Sequence, residues 1–192
     1  MDLRETSPIP TAALPLAEFR AHLRLGSGFV DETTQDATLE QFLRAAIASV
    51  EARVSRALFQ RTFELRLSAW RGTEAQRLPV APVVALGAVT LINAAGGQSP
   101  VAAGRLRLDA DSARPRVIGV LPTIPTRGQV VIAFTAGFAT DWAAIPSDLR
   151  QAVLLLAAQY YEARDTGGDA DMAFGIRALL ERWRDIRIGG RA

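Results

Sequence analysis

Hydrophobic residues recur with a helical period in the first part of the chain. From residue 36 to residue 58, apolar side chains fall every three or four positions with charged residues between them, which is the pattern of an amphipathic helix. The apolar stripe consists of Leu39, Phe42, Leu43, Ala46, Ile47, Val50, Val54 and Leu58. We predict a long helix here, capped by Asp36 or Thr38. A shorter helix is predicted from Pro15 onward, with Leu16, Phe19 and Leu23 at helical spacing, and Gly26 and Gly28 stop it.

The hydrophobic period changes to two after Leu58. Between residues 63 and 68, apolar and polar side chains alternate, which predicts a half-buried strand. Further short β-like runs occupy residues 83–93, 105–109, 116–121 and 128–138. Residues 94–97, Ala-Ala-Gly-Gly, predict a hairpin turn between strands. The short links favour antiparallel sheets, because parallel pairs need crossover helices.

The helical period returns near the C-terminus. Pro146 and Ser147 open a helix for which Ser147 is the predicted N-cap, and a last helix is predicted over residues 173–186. Between Ala152 and Ala158 the first of these is apolar nearly all round. Such a helix is buried on more than one side, either inside a bundle or at a subunit interface.

The order of helices, strands and helices predicts an α+β fold. We expect an α-helical bundle formed by the N- and C-terminal helices, with an inserted antiparallel β-domain. The expected boundaries are an irregular N-terminal arm at 1–14, the bundle at 15–60 and 146–185, the β-domain at 61–145, and a C-terminal tail at 186–192.

Composition narrows the possible chemistry. The chain of 192 residues has no cysteine and one histidine, His22, so thiolate sites and multi-histidine metal sites are excluded. No spaced pair of carboxylates supports a hydrolase. We therefore predict no enzymatic activity, no cofactor and no metal. The N-terminus lacks the apolar run of a signal peptide, and the apolar run at 152–158 is shorter than the roughly 20 residues of a membrane span, so we expect no export and no membrane partner.

The basic residues are unevenly distributed. All 22 are arginine, and residues 61–145 hold nine of them against five acids, a net charge of +4. One interpretation of this excess is a nucleic-acid-binding module that uses the β-domain. The candidate residues are Arg66, Arg71, Arg77, Arg105, Arg107, Arg114 and Arg116.

The C-terminal segment combines tryptophan, arginine and isoleucine. Its candidate residues are Arg182, Trp183, Arg184, Ile186, Arg187 and Ile188. Tryptophan and arginine are enriched at the energetic centres of protein interfaces, so the segment is either the end of an ordinary amphipathic helix or an interaction arm. On the apolar helix before it, Leu154, Leu155 and Tyr161 are candidates for an interface between identical copies.

Several short motifs occur together along the chain. They are Ala46-x-x-x-Val50-Glu51, Leu78-Pro79-x-x-Pro82, Ala136-Gly137-Phe138, Ile145-Pro146-x-x-Leu149-Arg150-x-Ala152 and Tyr161-Glu162-x-Arg164. Their combination resembles the head–tail connector (adaptor) proteins of long-tailed phages and gene transfer agents. The arginine-only composition suits a gene transfer agent of a GC-rich bacterium and suits a phage of such a host equally well.

The resemblance implies a structural protein of the virion neck. Such proteins form a ring, about twelvefold, beneath the portal protein. The ring extends the DNA channel, through which DNA passes without sequence-specific binding, and the tail or a stopper protein docks on it. In this family the C-terminal region engages the portal, which corresponds here to residues 180–192. Assembly would take place in the bacterial cytoplasm, with the protein ending in the neck of the particle.

Overall fold

The structure, a computed structural model, describes residues 1–25, 32–164 and 172–184. The chain divides into two compact units, each built from two stretches of sequence. One, the β unit, consists of Met1–Pro8 and Phe59–Phe138. The other, the helical unit, consists of Ile9–Leu58 and the described residues from Ala139 onward.

Within the described residues, the helical unit holds four α-helices. Their bounds are α1 Leu16–His22, α2 Glu32–Val54, α3 Ser147–Ala163 and α4 Phe174–Glu181. Short 3-10 turns at Thr11–Ala13 and Trp142–Ala144 precede α1 and α3. Helix α3 packs against each of the three other helices.

The β unit holds two antiparallel sheets. Its strands are β1 Asp2–Glu5, β2 Arg61–Leu67, β3 Ala75–Arg77, β4 Val83–Ile92, β5 Gln98–Pro100, β6 Leu106–Asp109, β7 Arg116–Gly119 and β8 Gln129–Ala136. The five-stranded sheet has the order β1-β2-β8-β4-β5, and the three-stranded sheet has the order β3-β7-β6. The predicted α+β class with antiparallel strands is confirmed, and the predicted hairpin turn at residues 94–97 joins β4 to β5.

Alternation of apolar and polar residues produces the core of the larger sheet. In β2 and β8 every second side chain is buried, because successive residues of a strand point to opposite faces. The register places Phe63 opposite Phe134 and Leu65 opposite Ile132. The two phenylalanine rings stack with centroids 5.6 Å apart, so cross-strand pairs bring the sheet's largest side chains together.

Gly137 ends β8 at a point of close backbone approach. Its φ is +137°, and a Cβ at this position would overlap the carbonyl oxygen of Phe59. The Gly137 N–H donates to the carbonyl oxygen of Pro82 at 2.9 Å. Only glycine combines this φ with this contact, which gives the Ala136-Gly137-Phe138 motif a structural cause.

The apolar stripe of α2 forms the core of the helical unit. Leu39, Leu43, Ala46 and Val50 are completely buried, whereas Phe42, at the edge of the stripe, is half-buried. The broad apolar surface of α3 is matched by its three neighbouring helices. A second copy of the chain is therefore not needed to explain why α3 is apolar nearly all round.

The prediction of an irregular N-terminal arm is wrong for the first part of that arm. Asp2–Glu5 forms strand β1, which pairs with β2 from Asp2 opposite Arg66 to Glu5 opposite Phe63. All four side chains of β1 are exposed, so backbone hydrogen bonds at the sheet edge hold the strand. A strand without a buried face leaves no hydrophobic alternation in the sequence.

Helix α2 is displaced from its predicted bounds at both ends. It begins at Glu32, so Asp36 and Thr38 are not its caps, and Asp36 instead accepts a hydrogen bond from Nε of Arg20 at 2.8 Å. It ends at Val54 because the next residue, Ser55, has a left-handed φ of +55°, which an α-helix cannot continue.

The helices and strands later in the chain also differ from the prediction, in caps, ends and short strands. Helix α3 begins at Ser147 with Pro146 in the cap position and no side-chain capping bond, so Ser147 is not the N-cap. Helix α4 ends at Glu181, before the predicted end at residue 186. Strands β3 and β5 were missed because three residues each are too few to show alternation.

Candidate functional site

The C-terminal candidate site begins immediately after α4. Arg182, Trp183 and Arg184 are described, whereas Ile186, Arg187 and Ile188 lie outside the described residues. The N–H of Trp183 donates to the carbonyl oxygen of Leu180 at 3.0 Å. A single turn therefore links the last residues of the buried α4 face to the candidate arm.

Trp183 is anchored to the first turn of α3. Its indole Nε1 donates to Oδ2 of Asp148 at 2.7 Å, and the guanidinium of Arg182 lies 3.4 Å from the same oxygen. Oδ1 of Asp148 accepts the N–H of Leu149 at 3.0 Å. A carboxylate at the start of a helix also interacts favourably with the helix dipole, so Asp148 is a charged anchor point for the indole.

Two arginines pack against the indole ring. The guanidinium carbons of Arg56 and Arg182 lie 5.5 Å and 4.9 Å from the ring centroid, within the range of cation–π attraction. Arg56 Nε also donates to the carbonyl oxygen of Trp183 at 3.2 Å. Trp183 therefore holds the last described residues of the chain against the helical unit.

The flanking arginines remain accessible. The side chain of Arg182 is 73% exposed and that of Arg184 is 50% exposed. Arg184 pairs with Glu181 at 3.0 Å, an exposed contact that contributes little to stability. These two guanidinium groups can therefore contact a partner while Trp183 stays anchored.

The three candidate interface residues of α3 do not form one patch. Leu154 is buried within its own unit at 8% exposure, and Leu155 and Tyr161 are half-buried. At 100° per residue, Leu154 and Tyr161 lie on one stripe of the helix and Leu155 lies on another. The structure thus assigns Leu154 to the core and leaves two separate, partly exposed positions.

Tyr161 has aromatic and cationic neighbours. Its ring meets Phe42 of α2 edge to face at 5.8 Å, and the guanidinium of Arg164 lies 3.8 Å from its centroid. The adjacent Tyr160 donates its hydroxyl hydrogen bond to Oγ of Ser49 at 3.0 Å. Phe42 and Tyr161 together form a half-exposed aromatic pair on the helical unit.

The partners of Trp183 could not be identified from the sequence alone. Asp148 lies 35 residues before Trp183, and Arg56 lies 127 residues before it. Asp148 was recognisable only as a favourable charge near a helix start, and Arg56 follows the end of α2 without any periodic signal. Neither contact could be found from local patterns.

The structure brings only some of the arginines proposed for nucleic-acid binding into the same sheet. Arg66 pairs with Glu64 at 3.1 Å, and Arg116 pairs with Asp109 at 2.6 Å. Nε of Arg105 donates to the carbonyl oxygen of Val120 at 3.0 Å. Of the seven candidates, Arg77, Arg107 and Arg116 come from the three strands of the smaller sheet.

The described ranges show neither a metal-binding cluster nor a membrane-spanning helix. No three His, Cys, Asp or Glu side chains there are arranged to hold a metal ion, and His22 is exposed at the end of α1. Outside the gaps at 26–31, 165–171 and 185–192, no helix is long and apolar enough to cross a membrane.

The chain is similar over its whole length to three solved structures. Against the neck of an empty gene transfer agent (GTA) particle with C6 symmetry, identity is 52% and the TM-score is 0.90. Against the virion of a native GTA particle the values are 54% and 0.88, and against the neck of a native GTA particle with C12 symmetry they are 51% and 0.86. Each match covers 100% of this chain and 99% of the other.

No family model and no curated protein sequence matches the chain. The solved structures nevertheless match it end to end, at an identity of at least 51%. Identity at this level over full length establishes common descent, and it agrees with the motifs at Ala136-Gly137-Phe138 and Ile145-Pro146. The chain belongs to the head–tail connector (adaptor) family of long-tailed phages and gene transfer agents.

Proposed function

We propose that this chain is a structural neck protein of a gene transfer agent particle, in which about twelve copies form a closed ring beneath the portal. The observation that carries the proposal is the full-length similarity to chains from GTA necks with C6 and C12 symmetry. The ring extends the DNA channel, and the tail or a stopper protein docks on it.

The C-terminal arm, residues 182–188, contacts the portal. Support comes from the anchor at Trp183, which fixes the start of the arm and leaves Arg182 exposed at 73%. A guanidinium held in this way can form bidentate hydrogen bonds with a carboxylate of a partner at small entropic cost. Trp183 acts as a positioning residue for this contact, because its indole N–H is bonded to Asp148.

Contacts between neighbouring copies use the partly exposed residues of the helical unit. Head-to-tail contacts around a closed axis require two different surfaces on each copy. Tyr161, with Phe42 beside it, and Leu155 on another stripe of α3 are two such positions. Leu154 supports α3 from within the core.

Particles from cells that lack the gene test the proposal. DNA-filled heads without tails are expected, because the surface that receives the tail is missing. A tagged full-length chain should restore tailed particles and should be present at about twelve copies in each. Normal tailed particles in the deletion strain, or a restored particle free of the tagged chain, would contradict the proposal.

A further inference from the structure

The five-stranded sheet has two open edges, one on each side. Strand β1 forms the first edge, because in the described part of the chain it pairs with β2 alone. The N–H of Thr6 donates to the carbonyl oxygen of Thr62 at 2.9 Å, and backbone groups alternate in direction along an antiparallel strand. Leu3 and Glu5 therefore direct their N–H and C=O groups away from β2, where a further strand can pair with them.

The second edge is the first half of β4, residues 83–88, which we call the β4 edge. Strand β5 covers β4 at residues 90–92, and the last bond on this side joins the N–H of Val101 to the carbonyl oxygen of Val89 at 2.8 Å. Among the described residues, no strand pairs with this side of residues 83–88. A cavity of about 320 Å³ borders residues 86–89, with residues 101–104 and 106–108 around it. The space beside the β4 edge is therefore open.

Both edges carry exposed apolar side chains. Leu3 on β1 is 37% exposed, and Val84 on β4 is 48% exposed. Residues 83–88, Val-Val-Ala-Leu-Gly-Ala, include no charged side chain, although charges are a common means of preventing an edge strand from pairing. The β4 edge is thus a surface to which another strand can add through backbone hydrogen bonds.

The directions of the two edge strands are complementary. Three antiparallel pairings separate them, β1 with β2, β2 with β8 and β8 with β4, so β1 and β4 run in opposite directions. A rotation about an axis roughly parallel to the strands preserves strand direction. It would bring β1 of one copy beside β4 of the next as an antiparallel pair, like every strand pair described in the β unit.

The lengths and charges of the two edges also fit each other. The four residues of β1 span about 13 Å, and the six residues of the β4 edge span about 20 Å. Register shifts mark bulges in β4, and bulges bend an edge so that it suits a short added strand. In the antiparallel direction, Asp2 of the added strand lies toward Ala88. There it approaches Arg107, the one charged side chain among the described residues that line the cavity.

We propose that β1 of one copy adds to the β4 edge of the neighbouring copy, so that the five-stranded sheets join edge to edge around the ring. This inference rests on the proposed ring, and it adds a contact in the β unit to the contact of the helical unit. A closed ring needs two different surfaces on each copy, and β1 and the β4 edge are two such surfaces. The similarity to chains from necks with C6 and C12 symmetry supports a second copy as the occupant.

The absence of cysteine from the chain permits a selective disulfide test. The register places Leu3, Leu65, Ile132 and Val89 in one row across the sheet. Leu3 and β4 are thus three strand spacings, about 14 Å, apart within one copy. A disulfide needs Cα atoms within about 7 Å of each other. Cysteines at position 3 and on the β4 edge can therefore be bridged only between copies.

Two double variants test the contact at different registers. Leu3→Cys is combined with Ala85→Cys or with Ala88→Cys, both at exposed positions of β4. Particles that carry each variant are oxidised with copper phenanthroline, and their proteins are separated by non-reducing electrophoresis. We expect at least one combination to give a ladder of products that extends beyond the dimer to about twelve chains. The matched control, Leu3→Cys with Ala52→Cys at an exposed position of α2, should give several-fold less product.

Two results of the disulfide test would overturn the proposal. Yields no higher than those of the control in both double variants would exclude contact between β1 and the β4 edge. Dimers formed as abundantly by Leu3→Cys alone would show that β1 pairs with β1 of another copy. Either result leaves the neck function standing, because the chain is still present in the particles, whereas absence of the wild-type chain from particles would refute that function.

A proline variant separates backbone pairing from side-chain contact. Leu3→Pro removes an N–H that points away from β2, so the melting temperature should change little. Leu3→Ala keeps this N–H and shortens the side chain. We expect Leu3→Pro to reduce the amount of the chain in particles several-fold and Leu3→Ala to reduce it less than twofold. Equal amounts of the two variants in particles would overturn the addition of β1 as a strand.

Discussion

At Gly137 the backbone requires both a positive φ and the absence of a side chain. Gly137→Ala should lower the free energy of unfolding by about 1–3 kcal/mol, because the methyl group meets the Phe59 carbonyl and the residue is strained. Urea denaturation followed by far-UV circular dichroism measures the change.

Gly175→Ala is the control for this substitution. Among the described residues, no atom outside its chain neighbours and its own helix backbone lies within 4 Å of a Cβ at Gly175, in helix α4, so alanine there should raise stability by about 0.5–1 kcal/mol. Equal effects at the two glycines would show that the contact with Phe59 does not restrict position 137.

Individual contacts were the least predictable part of the candidate site. The sequence indicated that Trp183 and its flanking arginines form a special segment, but it did not reveal Asp148 or Arg56 as partners. Both contacts depend on how α3, α4 and the end of α2 pack. Residues so distant in sequence share no period, and only the folded chain brings them together.

Helix α2 offers a matched test of its buried stripe. Val50 is completely buried, whereas Ala52, two positions further along the same helix, is exposed. Val50→Asp should destabilise the helical unit by about 3–5 kcal/mol, because it buries a charge without a partner. Ala52→Asp should change stability by less than about 0.5 kcal/mol. Similar chemical denaturation curves for the two variants would show that the stripe is not core.

The attachment of the N-terminal segment to α2 should depend on pH. Oε1 of Glu40 accepts hydrogen bonds from Nε of Arg44 at 2.7 Å and from Thr11 at 3.0 Å, and these bonds hold the pKa of Glu40 below its usual range. Because the pKa of Glu40 is lower in the folded state than in the unfolded state, the ionised carboxylate stabilises the fold at pH values above the unfolded-state pKa. That contribution is lost as the pH falls through the lowered value.

Glu40→Gln tests this dependence. The variant should be less stable than wild type at neutral pH, and the difference should disappear once Glu40 is protonated. Thermal melts at a series of pH values measure it, with the exposed Glu162→Gln as a control. A difference that persists unchanged into acid would exclude the ionised carboxylate as its source.

Elements with a buried face were predictable, and elements without one were not. Strand β2 alternates between buried and exposed residues and was predicted, whereas β1 is exposed along its whole length and was missed. The end of α2 at Ser55 depends on a left-handed residue that is not glycine. Arg77, Arg107 and Arg116 likewise share one face of the smaller sheet because of strand register, which the spacing of arginines along the chain does not reveal.

At the scale of the whole molecule, we predict that the C-terminal residues contribute little to the stability of the described core. Deleting residues 186–192 leaves Trp183 and its contacts with Asp148 and Arg56 in place. The melting temperature should therefore be nearly unchanged, while attachment to DNA-filled heads is lost. Co-purification of the truncated chain with portal-containing capsids measures the attachment.

Two outcomes of the truncation have different meanings. Stoichiometric attachment of the truncated chain would remove the portal contact from the arm and make the β unit the candidate docking surface. A large fall in melting temperature would instead show that the deleted residues stabilise the fold, and Arg182→Gln, at a side chain 73% exposed, would then test the arm without truncation.

The helical unit is assembled from two stretches of chain that leave the ribosome at different times. Helix α2 ends at Val54, and α3, which packs on its apolar stripe, begins only at Ser147. At about 5–20 residues per second, translation of the intervening chain takes roughly 5–20 s. During that delay the stripe of every nascent chain is without its partner helix. Neighbouring chains on one messenger can then exchange these helices, so a low density of ribosomes on each messenger favours correctly paired chains.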